Sequence, residues 1–169
     1  MHDNAPTPYR IDRVDPSTFD DLLPLIADYQ RFYGCEPDES RNRRFFGDMV
    51  GDDTHGLQLL ARHGDRAAGF ATLYWTRVST RATTVALLND LFVHPDHRGG
   101  RRDGLGTLLL RAAAREAAAR GYRNLVWQTA PDNTAAQALY DRFLADASVP
   151  GSTSGWIEYS CPLPYEGER

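Results

Sequence analysis

The chain has 169 residues, a length typical of one domain with its own hydrophobic core, and we treat 1–169 as a single domain. Its net charge is −4, which argues against general nucleic-acid binding, because that function calls for a basic domain. All 19 basic residues are arginine, so chemistry that needs a lysine, such as a Schiff base, is excluded.

The sequence contains no targeting or metal-binding signal that we can identify. No apolar run approaches the roughly 18 residues that a membrane-spanning helix needs, and the N-terminus lacks a signal-peptide pattern. We therefore expect a cytoplasmic protein that does not enter a membrane. The two cysteines, Cys35 and Cys161, form no CxxC pair, and the histidines form no HExxH motif, so we expect no metal.

The first half of the chain alternates between strand and helix patterns. Its periodicity predicts, in order, a strand over 9–15, a helix from Pro16 to Gly34, a helix over 39–50, and strands over 56–63, 66–78 and 82–93. A Gly-Asp pair at 64–65 predicts a hairpin. The last strand carries a polar pair, Asn89-Asp90, among apolar neighbours, and this pair needs an explanation.

The second half of the chain predicts a strand–helix–strand unit and then a closing strand. The pattern indicates a helix over 103–120, a strand over 122–130, a helix over 131–144 with a capping box at Thr134 and Gln137, and a strand over 155–163. The order is β-α-α-β-β-β-α-β-α-β. It predicts an α+β fold with a central mixed, mostly antiparallel sheet flanked by helices.

A turn rich in glycine and arginine separates the strand 82–93 from the helix that follows. Helix N-termini leave unpaired N–H groups and a partial positive charge, and glycines let the backbone approach a ligand closely. The turn is therefore a candidate phosphate site, and Arg98, Arg101 and Arg102 would add charge-assisted hydrogen bonds. The alternative is a solvated turn with surface arginines.

Three known phosphate-binding motifs can be compared with the sequence of this turn. A P-loop fails because there is no lysine, and a dinucleotide GxGxxG fails because Leu109 stands where the third glycine belongs. The remaining pattern, R-x-x-G-x-G, occurs from Arg101 to Gly106.

Two segments of the sequence resemble the GNAT superfamily of acyl-CoA-dependent N-acetyltransferases. "NDLFVHPDHRG" resembles that family's coenzyme strand and loop, and "WQTAPDNTAAQALYDR" resembles its next strand and helix. The resemblance covers most of the chain and implies acetyl-CoA as cosubstrate. It implies that the coenzyme is held by Leu91, Phe92, Val93, Arg98, Gly99, Arg101, Arg102, Gly104, Leu105, Gly106, Thr107 and Asn133.

The turn departs from the family pattern in its length. Many members begin the motif at the first arginine–glycine pair, here Arg98-Gly99, whereas three further residues intervene in this chain. Either Arg101 begins the motif and residues 98–100 bulge outward, or the loop is remodelled. The alternative role for Asn133 is a helix N-cap.

The resemblance also implies catalytic roles for two residues. Tyr140 would be the general acid, because a phenol with a pKa near 10 is protonated at neutral pH. Asp90 would be the base that deprotonates the amine. Each has a structural alternative: Tyr140 continues a helical apolar stripe, and Asp90 could be a half-buried carboxylate satisfied by backbone.

The segment "NDLFV" further resembles the diamine and polyamine branch of the family, in which an acid receives a cationic amine. For the acceptor site we predict Glu36, Asp38, Tyr74, Trp75 and Asp90. A solvated acidic loop and sheet packing are the ordinary alternatives for the first four.

The sequence thus predicts an N-acetyltransferase that transfers acetyl from acetyl-CoA to a primary amine of a small molecule, by direct attack in a ternary complex. The alternatives are a protein or peptide N-acetyltransferase and a non-catalytic CoA-binding sensor. We also expect a homodimer, because family members commonly pair.

Overall fold

The computed structural model describes residues 8–99 and 104–147. Its elements are β1 (Tyr9–Arg13), α1 (Phe19–Phe32), α2 (Glu39–Gly47), β2 (Gly56–His63), β3 (Arg66–Val78), β4 (Thr83–Val93), α3 (Leu105–Ala119), β5 (Leu125–Val126) and α4 (Thr134–Ala147). The α+β class and the predicted element order are confirmed through α4. The predicted closing strand over 155–163 lies outside the described residues.

The five strands form one sheet in the order β1-β2-β3-β4-β5. The first three pairings are antiparallel and the β4–β5 pairing is parallel, because the α3 crossover separates those two strands. The predicted hairpin between β2 and β3 is confirmed: His63 pairs with Arg66, and Gly64 takes a φ of +59° in the two-residue turn.

The sheet separates two hydrophobic cores. On one face, α1 buries Leu22 and Ile26 against Phe70 and Phe92 of β3 and β4. On the other face, the cluster is dominated by α3 and the small and branched residues of β2 and β3. We call these two sides the α1 face and the α3 face. Successive side chains of a strand normally point to opposite faces of the sheet, so a residue's position along its strand indicates which face it occupies.

The start of α1 differs from the prediction. The Asp15 carboxylate accepts hydrogen bonds from the backbone amides of Ser17 (2.8 Å) and Thr18 (3.0 Å), which holds this segment in a turn. The helix therefore begins at Phe19 and not at Pro16. Its predicted end is confirmed, since Gly34 follows the last turn with a φ of +72°.

Three further boundaries also differ. The second helix ends at Gly47, three residues before the predicted limit, and β5 spans two residues where the pattern predicted nine over 122–130. The cap of α4 is Asn133, whose Oδ1 accepts from the amide of Ala136 (3.2 Å). The predicted capping box at Thr134 and Gln137 is wrong, because the Gln137 side chain instead donates to the carbonyls of residues 130 and 131.

Candidate functional site

A bulge in β4 determines which way Asp90 points. Leu88 pairs with Leu73 of β3 and Asp90 pairs with the preceding residue Thr72, so Asn89 is the one extra residue on β4. Strict alternation would put Asp90 on the α3 face with Leu88. The bulge reverses the phase, and Asp90 faces α1 instead.

Asp90 is a buried carboxylate, with 8% of its surface exposed. The Asn89 side-chain amide donates to its Oδ1 at 3.1 Å. Burial raises the pKa of Asp90, while the nearby polar side chains of Thr72, Asn89 and Tyr29 act in the opposite direction. Among residues 8–99 and 104–147, no cation contributes to this balance. A cationic ligand would stabilise the ionised form of Asp90, because burying an unpaired charge is energetically costly.

Two phenols accompany Asp90 on the α1 face. Burial and the negative charge of Asp90 raise the pKa of Tyr29, on α1, and act in the same direction on Tyr74, on β3. Both hydroxyls therefore stay protonated at neutral pH and can donate. The structure thus brings Asp90 and the predicted Tyr74 together and adds Tyr29.

Beyond the bulge, one edge of β4 carries no strand in the described part of the chain. β5 pairs only with Ala86 and Leu87 of β4. The segment 88–93, which includes the predicted coenzyme residues Leu91, Phe92 and Val93, extends past that pairing. Two parallel strands that meet over two residues and then separate leave backbone groups available to an extended ligand.

The N-terminus of α3 lies beside this open edge. Gly104 precedes the helix and provides no side-chain cap, and Leu105, Gly106 and Thr107 form the first turn. A β-carbon on Gly106 would come within 3.9 Å of Val93 on β4. The amides of this first turn are thus free of a capping side chain within the described residues, as an anion site requires. The predicted contacts Arg101 and Arg102 lie outside the described residues.

Arg98 is occupied by protein contacts. Its Nε donates to the carbonyl of Val93 at 2.8 Å, and its guanidinium lies 5.6 Å and 5.4 Å from the ring centroids of Phe32 and Phe92. Its neighbour Gly99 has a φ of +77° in the turn that follows. The contacts join the end of β4 to the end of α1. A coenzyme role for Arg98 stays a prediction.

Tyr140 of α4 packs against the hydrophobic cluster on the α3 face. Its ring lies 5.4 Å from that of Trp127, and burial, with a smaller contribution from Tyr33, raises its pKa. Tyr33 is 54% exposed at the end of α1, and its ring lies 5.0 Å from that of Tyr29. Tyr33 contacts Tyr29 and influences Tyr140 only through its charge, so a joint catalytic role for Asp90 and Tyr140 stays a prediction.

The sequence of the chain also matches a known enzyme family. Residues 21–145 match the model of the acetyltransferase (GNAT) family. The chain belongs to the GNAT acetyltransferase family. A relative from Bacillus subtilis (strain 168), described as the uncharacterized N-acetyltransferase YhfO, is 31% identical over 143 residues, covering 85% of this chain and 90% of the relative. The protein is an acetyl-CoA-dependent acyltransferase.

Solved acetyltransferase structures share the fold. A probable acetyltransferase is 25% identical, with a TM-score of 0.73 over 93% of this chain and 99% of its own. AAC(6')-Iy, solved with a CoA-linked acetylneamine bisubstrate analogue, is 20% identical, with a TM-score of 0.74 over 92% and 99%. A ribosomal-protein-alanine N-acetyltransferase from Brucella melitensis biovar Abortus 2308 is also 20% identical, with a TM-score of 0.69 over 92% and 99%. The last two similarities concern the fold alone.

Two predicted acceptor residues of the acetyltransferase, Tyr74 and Trp75, point to opposite faces of β3. Trp75 packs on the α3 face, where its ring lies 5.1 Å from Tyr122 and its Nε1 donates to the carbonyl of Asp53 at 2.8 Å. The guanidinium of Arg120 lies 5.0 Å from the Trp75 ring. These contacts give Trp75 a packing role, and only Tyr74 shares a face with Asp90.

The predicted acidic loop between α1 and α2 serves the local backbone. Asp38 is the N-cap of α2 and accepts from the amide of Arg41 at 2.8 Å, which lowers the pKa of its carboxyl. The exposed residue Glu36 accepts from the Arg41 guanidinium through its backbone carbonyl. An acceptor role for either carboxylate stays a prediction.

Sequence reasoning missed Tyr29 and Tyr33 as members of the site. Their spacing of four residues in the last turns of α1 is also typical of the apolar stripe of an amphipathic helix. A signal was present, since phenols have a polar end that a core position does not need. Within the described residues there is no cluster of metal-ligating side chains and no helix long and apolar enough to span a membrane.

Proposed function

We propose that the protein transfers acetyl from acetyl-CoA to the primary amine of a small cationic molecule, such as a polyamine, a diamine or an amino-acid-like amine, by direct attack in a ternary complex. The observation that carries this proposal is the buried Asp90 carboxylate, which the β4 bulge turns toward α1 beside the open strand edge. Since no cation among residues 8–99 and 104–147 acts on this buried anion, a ligand that brings a positive charge would be favoured.

The residues at the open edge and at the start of α3 fit the coenzyme. We assign the extended arm to the backbone of 91–93 and the diphosphate to the first-turn amides at 104–107, with Asn133 near the arm. Support comes from the β4 edge that carries no strand in the described part of the chain, and from the absence there of a side-chain cap at Gly104. When bound, acetyl-CoA supplies the thioester that carries the acetyl group.

Asp90 and Tyr140 divide the proton transfers between them. Asp90 accepts the proton that the amine must lose before its nitrogen lone pair can attack the thioester carbonyl carbon. Tyr140 donates its phenolic proton to the sulfur as the carbon–sulfur bond breaks, and the new amide carries the acetyl group. The raised pKa of Tyr140 keeps this proton in place at neutral pH.

Aromatic rings around Asp90 favour an ammonium over a neutral acceptor. Tyr29 and Tyr74 flank the carboxylate, and the exposed ring of Tyr33 lies at the end of α1. Ring faces attract cations, with about 0.5–2 kcal/mol for each close contact. A small polycation can therefore be held by rings and reach Asp90 with one amine.

The experiment measures thiol release from acetyl-CoA with a panel of putrescine, spermidine, lysine and an N-terminal peptide. We expect turnover with at least one small amine, a loss of about 10²–10⁴-fold in kcat/KM for Asp90→Asn, and no loss for Asp65→Asn, the same change in an exposed hairpin turn. Turnover with the peptide alone would instead establish a protein acetyltransferase. Coenzyme binding without any acetylated acceptor would overturn the proposal in favour of a sensor.

The homodimer and the cytoplasmic location stay predictions. Sedimentation equilibrium of the purified protein tests the first, since a dimer doubles the mass of the 169-residue chain.

A further inference from the structure

Three buried polar side chains form a straight row across the sheet. Gln58 of β2 pairs with Thr72 of β3, and Thr72 pairs with Asp90 of β4. Directly paired residues of antiparallel strands lie on the same face with adjacent side chains, so all three face α1. Their exposed fractions are 2%, 0% and 8%. We call Gln58, Thr72 and Asp90 the polar row.

Two members of the polar row have polar atoms that nothing in the described structure satisfies. Both side-chain amide atoms of Gln58 are buried and make no hydrogen bond. The buried hydroxyl oxygen of Thr72 has no partner in full hydrogen-bond geometry, although the side chain is close enough to lower the pKa of Asp90. The neighbouring row on the same face, formed by Leu60, Phe70 and Phe92, is wholly apolar. Buried polar groups are nearly always hydrogen-bonded, so unpaired ones at this depth call for an explanation.

We propose that Gln58 and Thr72 are positioning residues that hold the Asp90 carboxylate toward the acceptor. Small side-chain rotations of these paired residues would complete a hydrogen-bond chain in which Gln58 donates to Thr72 and Thr72 donates to Asp90. This inference rests on the proposed function, in which Asp90 receives the amine. It adds to that function two residues, on the neighbouring strands β2 and β3, that position the base.

The chemistry of the three side chains determines which group donates and which accepts in the proposed hydrogen bonds. An ionised carboxylate only accepts, so the single Thr72 proton must point toward Asp90. The Thr72 oxygen then retains lone pairs for the Gln58 amide, which has two N–H donors. Thr72 already acts on the carboxylate in the expected direction, since it lowers the pKa of Asp90 against the effect of burial.

The other groups that face Asp90 come from three elements. Asn89 on β4 donates to it, Tyr29 approaches from α1, and Tyr74 from β3 is close enough to be influenced by its charge. None of these is a cation. Thr72 differs from these groups because it is paired with a second buried polar residue, Gln58, on the strand on its other side.

The test is a carbon-13 NMR titration of the Asp90 carboxyl in the full chain, compared among the parent, Thr72→Val and Thr72→Ser. Valine preserves the shape of the side chain without the hydroxyl, and serine keeps the hydroxyl. We expect valine to raise the pKa of Asp90 by about one unit, because a hydrogen bond to a charged group is lost. Serine should restore the parent value. An unchanged Asp90 midpoint in folded Thr72→Val would overturn the inference.

Gln58→Met provides a second measurement if the valine variant fails to fold. It keeps the length of the side chain and removes the amide, and we expect a smaller upward shift in the same direction. An unchanged Asp90 midpoint in Gln58→Met would remove Gln58 from the chain of donors, and together with a parental value in the Thr72 variants it would end the proposal.

The titration also separates this inference from the proposed function. If the acceptor proposal holds, the acidic limb of kcat/KM moves upward with Thr72→Val and returns with Thr72→Ser. If Asp90 titrates as expected but no amine is acetylated, the polar row stands and the proposed function fails. If amines are acetylated and the titration is unchanged, the proposed function stands and the positioning role fails.

Discussion

Gly106 in the first turn of α3 lies against Leu139 of α4. A β-carbon at position 106 would lie 3.1 Å from Leu139 Cδ2, closer than side chains normally pack. Leu139 immediately precedes Tyr140, so the start of the proposed diphosphate site and the proposed general acid are joined by one close contact. The absence of a side chain at Gly106 thus lets Leu139 pack closely on the first turn of α3.

Gly106→Val should destabilise the protein by about 1–3 kcal/mol, because its branched side chain must displace Leu139. Gly106→Ala should change stability by less than about 1 kcal/mol, since the higher helix propensity of alanine offsets a small shift of a flexible leucine. Urea denaturation of both variants measures the difference. Equal stability of the valine variant and the parent would mean that α3 and α4 are not packed as described.

Tyr140→Phe should lower kcat by about 10²–10⁴-fold, the usual contribution of a positioned general acid, and leave CoA binding unchanged. The ring still packs on Trp127, so the fold should be preserved. Single-turnover kinetics and calorimetry with CoA are the measurements. Tyr122→Phe is the matched control, because its ring packs on Trp75 on the α3 face. Parental turnover by Tyr140→Phe would remove Tyr140 from the chemistry.

The pH dependence of stability should reveal the buried carboxylate. The pKa of Asp90 is raised in the folded protein, so the unfolded chain loses that proton first as the pH increases. Asp90 therefore lowers the free energy of unfolding progressively from about pH 4, the ordinary carboxyl pKa, up to its folded pKa. Asp90→Asn should raise the melting temperature at pH 7 and lose that advantage toward pH 4. A constant difference across this range would contradict the assignment.

The acetylation rate should rise with pH as Asp90 becomes ionised and then remain level well into the alkaline range. The base must be deprotonated, whereas burial keeps Tyr140 protonated beyond the ordinary phenol pKa near 10. A pH profile of kcat/KM measures both limbs. A decline below pH 9 that disappears in Tyr140→Phe would contradict the raised pKa of Tyr140.

Neighbouring residues on β3 allow a test of which face receives the acceptor. Tyr74→Leu should raise the acceptor KM, because Tyr74 shares the α1 face with Asp90. Trp75→Phe should leave that KM unchanged and lower the melting temperature, because it removes the hydrogen bond to Asp53 on the α3 face. The opposite pattern would support the sequence-based prediction that Trp75 lines the acceptor site.

Much of the architecture could be predicted because its signals are local. Glycines after α1 and α3 mark helix ends since only they take a positive φ easily, and Gly34 and Gly121 do so at +72° and +81°. The Gly-Asp pair at 64–65 predicted its hairpin for the same reason. Predicted boundaries were wrong where side chains intervened, as at Asp15 before α1 and Asn133 before α4.

The sequence by itself determined the element order, the two periodicities that build the sheet and its helices, and the glycine turn before α3, since each depends on residues close together in the chain. Only the tertiary structure decided which face Asp90 occupies, because the extra residue Asn89 is defined by pairing with β3 and reverses the alternation. It likewise decided that Tyr29 approaches Asp90, that Tyr33 packs on Tyr29, and that Gln58 and Thr72 lie in one row with Asp90. Those relationships arise from contacts between strands and helices distant in sequence, which no local pattern encodes.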